Sequence, residues 1–173
     1  MKKITQILIF LIAINAQNHL LADTPYYLNF KFILNQSEAG KKAQKVLKSK
    51  LDNGIKKLQE REKKIQEEEK KIIQQKKIIS PEEYKKKVDE LRSKVSNLQK
   101  ERNKLLSDVA KQRTDARNQL LKSLNPIIKN YMAEKNIKMV IDKKNLLLAD
   151  DSLDITKDIM SKLNQTLKTI KFN

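Results

Sequence analysis

Through the middle of the chain, apolar residues recur every seven positions among charged ones. Leu51, Leu58, Ile65, Ile72 and Ile79 form one series, and the positions four further on are apolar only at Ile55 before becoming Glu62, Glu69 and Lys76. Past a single interruption, Tyr84, Leu91, Leu98 and Leu105 form a second series, with Val88, Val95, Arg102 and Val109 between them. A strict seven-residue repeat on both sides predicts two helices wound as a left-handed antiparallel coiled coil, with one thin seam buried and most of each helix wet. The interruption, Ile78 to Tyr84, reads as the tip of that hairpin. Ser80 suits an N-cap, Pro81 the first helical position, and Glu83 the third position of a capping box. A kink at Pro81 within one continuous helix is the competing reading. An arm from Glu38 to Ile79 reaches about 60 Å.

The flanks have a different texture. Thr24 to Phe30, aromatic and apolar behind Pro25, reads as a strand, and Asn35 with Glu38, or Ser37 alone, caps the first long helix. Gly40 and Gly54 are the only glycines, and Gly54 inside the arm costs about 1 kcal/mol relative to Ala, as tolerated drift or as a local loosening. Asn125-Pro126 breaks or bends the second arm, and Ile127, Ile128, Tyr131 and Met132 continue its apolar face. Ile137 to Ile141 and Leu146 to Ala149 predict a two-stranded hairpin turned at Lys143-Lys144-Asn145. Asp154 caps a last helix with the face Ile155, Ile159, Leu163, Leu167 and Ile170.

The fold class is therefore α+β, mostly α: a helical hairpin over 38–124 projecting from a small β body built from 23–37 and 125–173. Three short strands and one amphipathic helix bury little and leave strand edges open, which predicts a homo-oligomer joined through the strands. Leu28, Phe30, Met139, Ile141 and Leu147 are the candidate oligomerisation residues.

The first 22 residues change the picture of where the chain works. Lys2 and Lys3 precede the apolar run Ile7 to Ile14, and no acidic residue occurs before Asp23. This is the pattern of a secretory signal peptide, too short in its apolar core to span a bilayer comfortably, and it predicts export to the periplasm. Cleavage after Ala22 fits, although Leu20 stands where a small residue is usual. The absence of Cys excludes thioether lipidation and disulfides.

Setting aside Lys2 and Lys3 leaves 36 basic against 21 acidic residues, a net of +15. Between Lys41 and Lys135 there are 28 basic and 14 acidic residues, so nearly all of the excess lies on the hairpin and its root. Such asymmetry attracts an anionic partner over a Debye length of about 8 Å. Lys70, Lys71, Lys76, Lys77, Lys85, Lys86 and Lys87 cluster at the tip and are the candidate electrostatic contacts. Ile78, Ile79 and Tyr84 are candidate apolar contacts there, unless they close the seam. A Lys-rich solvated helix in an AT-rich genome looks the same.

Catalysis is not expected. The one His is His19 and Cys is absent, so the chain beyond residue 22 cannot assemble a Cys/His or Ser/His pair and lacks the usual transition-metal ligands. Glu67, Glu68 and Glu69 lie among lysines, where nothing raises a carboxyl pKa for acid catalysis. Two glycines cannot build a phosphate loop, so no catalytic residue, metal or cofactor is assigned.

Two end motifs carry a resemblance. Tyr27 to Gln44 (YLNFKFILNQSEAGKKAQ), and Val140 to Ala149 (VIDKKNLLLA) with Leu153 to Thr156 and Leu163-Asn164, resemble the Skp/OmpH family of periplasmic chaperones over essentially the whole chain beyond residue 22. Asn29 stands where the family commonly has Asp, on what is expected to be the strand's outer face. The resemblance implies a trimer whose strands form a small barrel and whose helical tentacles enclose a cavity for unfolded outer-membrane proteins, without ATP. A structural coiled-coil protein of the envelope would use the same heptads. Nucleic acid is not an expected partner, because aromatic stacking residues are few and export removes it. Basic tips also suit anionic lipid or lipopolysaccharide, with no site assigned.

Overall fold

The computed structural model describes residues 24–172, so the predicted signal peptide lies outside the described residues. Strand β1 is Tyr26–Leu28, followed by helix α1, Phe30–Gln36. The strand is shorter than expected. Asn29 ends it by accepting the Phe32 N–H at 2.9 Å, so this residue is an N-cap and not part of a strand face. Asn and Asp serve about equally well as caps, so the Asp that the resemblance implies at this position would make the same bond. Phe30 is accordingly helical.

Ser37 joins α1 to the first long helix, α2, Glu38–Gln75. Its N–H donates to the Ile33 carbonyl at 3.0 Å, closing α1, while its Oγ accepts the Gly40 N–H at 3.2 Å, opening α2. One fully buried serine thus serves two helix ends.

Helix α2 stops at Gln75, and Ser80 starts α3, Pro81–Glu134, with its Oγ accepting the Glu83 N–H at 3.2 Å. Pairs between the two long helices match residues 50 with 112, 61 with 101, 68 with 94 and 75 with 87. Numbers rise along α2 as they fall along α3, so the helices lie side by side in opposite senses. The 38 residues of α2 extend about 57 Å and the 54 of α3 about 81 Å.

The seam is thin, as the pattern predicts: Leu47, Leu58, Ile72 and Leu98 are its buried apolar residues. It differs in one register position. Ile55 and Val95 are exposed, and Gly54 faces α3, where a Cβ would stand 2.5 Å from Leu105 Cδ2. The glycine is a seat for the Leu105 side chain and not drift. Helix α3 runs on through Pro126, so the proline does not break it; Leu124 and Tyr131 pack into the core on either side of the proline.

Helix α3 ends in a Schellman closure: Asn136 takes φ 53°, its N–H reaches the Ala133 carbonyl at 3.3 Å, and the Ile137 N–H reaches Met132 at 2.8 Å. Strand β2, Val140–Asp142, then pairs in parallel with β1, Tyr27 opposite Ile141. Parallel strands require a long crossover, and here the whole helical pair is that crossover.

No strand forms over Leu146 to Ala149, so the expected hairpin is absent. The other side of β1 is taken by a bridge from Tyr27 to Asp154, with the Ile155 N–H donating to the Tyr27 carbonyl at 2.9 Å. After β2 the chain takes a 3-10 turn, Lys143–Asn145, and residues 146–149 do not fold back onto the free edge of β2. The last helix, α4, is Thr156–Thr166, and Ile170 is buried beyond its end rather than on it. The core lies at the root of the helical pair. There Ile33 of α1, Ala39 and Ala43 of α2, Leu120 and Leu124 of α3, and Ile159 and Leu163 of α4 pack together.

Candidate functional site

At the far end, the turn between the long helices separates the residues that the sequence grouped there. Ile79 and Tyr84 are half-buried and close the seam, whereas Ile78 is 82% exposed. Lys76 Nζ sits 5.7 Å from the centre of the Tyr84 ring, and Lys87 donates to Gln75 Oε1 at 2.9 Å across the turn. These two lysines help to shape the turn. Lys70, Lys71, Lys77, Lys85 and Lys86 are exposed beside it.

Along the shafts, Arg61 pairs with Glu101, Arg102 with Glu62 at 3.3 Å, and Lys94 with Glu68 at 2.5 Å. Each is an exposed pair worth about 0.2–1 kcal/mol, so these links align the helices more than they stabilise them. Of Glu67, Glu68 and Glu69, Glu68 is thus paired across the helices.

At the root, side chains far apart in sequence tie the pair to the body. Asn164 of α4 accepts the Glu38 N–H at 2.9 Å, and Lys168 lies 3.3 Å from the Glu38 carboxylate. Gln119 holds the C-terminal segment by both ends of its amide, donating to the Lys171 carbonyl at 2.8 Å and accepting its N–H at 3.2 Å. Tyr131 of α3 donates to Asp158 of α4 at 2.5 Å. That bond, with burial second, pushes the phenol up to about 12. Asp154 is pulled both ways: burial raises its carboxyl, but hydrogen bonds from Thr156 and Lys143 hold it below the usual carboxylate value. Sequence reasoning did not single out Gln119, and it read Tyr131 only as part of an apolar face and Asn164 only as part of a motif, because their bonds depend on partners with no fixed spacing.

The strand-region candidates divide too. Leu28 is 4% exposed and belongs to the chain's own core, and Phe30 packs against it from α1. Ile141 is half-buried. Met139 is largely exposed, and Leu147 and Leu148 are 104% and 91% exposed. These apolar side chains flank β2 along the chain and face water.

The family model described as outer membrane protein (OmpH-like) matches residues 26–163. The chain belongs to the OmpH-like family. A candidate OmpH-like outer membrane chaperone from Caulobacter crescentus has a similar fold, with a TM-score of 0.81 at 19% identity over 87% of this chain and 90% of that one. No curated protein matches the sequence. The OmpH-like proteins are chaperones and not enzymes, and are periplasmic in general; this chain is a chaperone in that general sense and no enzyme. Its mostly helical build around a small strand pair matches the OmpH-like fold.

Proposed function

We propose that this OmpH-like protein is an ATP-independent holdase that keeps unfolded outer-membrane β-barrel proteins from aggregating in the periplasm, reached by export on a cleaved signal peptide. The observation that carries the reading is where the charge stands. The net +14 between Lys41 and Lys135 lies on a long helical pair, with exposed lysines gathered at its far end. A single rod cannot enclose a client. Several rods can, and the body supplies a way to join them: the open edge of β2 and exposed Met139, Leu147 and Leu148 would be covered by neighbouring copies in a trimer. Coiled-coil hairpins then surround one space whose walls carry a single sign of charge, and many weak contacts hold the client. Binding the unfolded state shifts the equilibrium by mass action, without nucleotide. Anionic lipid or lipopolysaccharide would meet the same lysines.

The test is light scattering of a urea-unfolded β-barrel outer-membrane protein diluted with and without the chain beyond residue 22, at low and high salt. Suppression that weakens as salt rises is expected, and Gln in place of Lys70, Lys71, Lys77, Lys85 and Lys86 should weaken it further at low salt. No suppression at any ratio would overturn the proposal in favour of a structural coiled-coil role.

A further inference from the structure

Near the root, one face of the helical pair carries a groove with an unusual lining. Two adjoining hollows share Gln44, Leu47, Arg113 and Thr114, so they form one channel running from Leu34 and Leu120 outward to Leu51 and Leu106. Its floor is apolar, and Leu106 there is 52% exposed. Small residues, among them Gly40, Ala43 and Ala110, line it and leave the channel open along the helices.

The rim is cationic. Lys48, Arg113 and Arg117 line the channel, and no acidic residue does. The other three arginines, Arg61, Arg92 and Arg102, each pair with a carboxylate. Arg113 and Arg117, one turn apart and exposed, have none among the described residues. Two guanidiniums one turn apart over an apolar floor present planar forks of N–H donors that match a carboxylate.

We infer that this groove binds an extended segment of a non-native polypeptide, with apolar side chains on the Leu47, Leu51 and Leu106 floor and a carboxylate on Arg113 and Arg117. The inference rests on the holdase reading and assigns it a subsite. From Gly40 to Leu51 the groove spans about 17 Å along α2. An extended chain at about 3.3 Å per residue places some five residues there. Alternate side chains then point down to the floor, while those between them lie at the rim beside the cations. Charge selects against basic segments, and the apolar floor against purely polar ones.

The chain has no Trp, so Trp fluorescence reports a bound peptide directly. The probes are three decapeptides, each with one Trp: Leu alternating with Glu, Leu alternating with Lys, and Ser alternating with Glu. The Leu/Glu peptide is expected to bind the full chain best. Its affinity should fall about tenfold in R113Q/R117Q, further in R113E/R117E, and hold in K122Q/K129Q, two exposed lysines of α3 outside the groove, since charge-assisted bonds to guanidinium are among the stronger polar contacts. Both arginines are exposed and unpaired, so circular dichroism should be unchanged in these variants. Equal binding by wild type and R113E/R117E overturns the inference. So does a change in sedimentation mass in that variant, which would make the groove a contact between copies. Light scattering with an unfolded outer-membrane protein separates the two readings. Suppression by wild type alongside peptide binding indifferent to the arginines removes the groove and leaves the holdase, whereas no suppression removes the holdase itself.

Discussion

Leu105 of α3 lays its side chain over the backbone of Gly54 in α2, so close that a Cβ on the glycine would stand 2.5 Å from Cδ2 and 3.1 Å from Cγ. Gly40 is tighter in another way: its Cβ would lie 1.9 Å from the backbone carbonyl oxygen of Leu34. A leucine side chain can turn; a carbonyl at a helix junction cannot move without its helix.

Gly54→Ala and Gly40→Ala should therefore differ. At position 54, helix propensity returns about 1 kcal/mol and Leu105 can rotate, so the change in stability is expected to stay within about 1 kcal/mol. At position 40 the same substitution is expected to cost at least about 2 kcal/mol, by displacing α1 from α2 at Ser37. Urea unfolding of both variants measures this. Equal effects would show that the junction is as compliant as the seam.

The bond from Tyr131 to Asp158 gives a pH dependence at the alkaline end. The phenol ionises near 12 in the folded chain against 10.0 ordinarily, so the folded state disfavours the phenolate. Its contribution is whole below pH 10 and is lost as pH rises from 10 to 12. Tyr131→Phe should lose about 1 kcal/mol at pH 8 and show a shallower decline than wild type between pH 10 and 12. Comparing unfolding curves of the two proteins isolates this term from the lysines that titrate nearby. Parallel declines would show that the bond does not persist in solution.

Leu147 and Leu148, almost wholly exposed shortly after β2, mark where copies would join in the proposed trimer. Leu147→Asp with Leu148→Asp should leave the helical content intact and lower the mass found by sedimentation equilibrium, because charges placed in an apolar contact are costly to desolvate. An unchanged mass would move the contact elsewhere on the body.

Much of this protein follows from local chemistry. A seven-residue apolar period specifies long helices with one seam wherever it occurs, and Ser80-Pro81-Glu82-Glu83 starts a helix by its own hydrogen bonding and ring geometry. The buried face Ile159 and Leu163 of the last helix was legible for the same reason, whereas Asp154, read as its cap, stands in a bridge to Tyr27 and Ile155 holds the cap position. The unpaired charge of the helical pair could simply be counted.

Other features were decided only when distant segments met. Asn29 caps a helix instead of lying in a strand, because α1 begins under the Thr156 hydroxyl, which accepts the Asn29 N–H at 2.8 Å. Leu146 to Ala149 has strand-like composition, yet a strand is a pairing, and beyond the 3-10 turn at Lys143–Asn145 the segment does not fold back onto β2. Gly54 reads locally as a weakness and is a packing seat only because Leu105, 51 positions away, arrives there. Period and capping act within a few residues, so the sequence by itself determined the two long helices up to Pro126 and their charge, but not the short helix α1. Strand partners, glycine seats and the arginine-rimmed groove depend on which segments share space, and that only the tertiary structure decided.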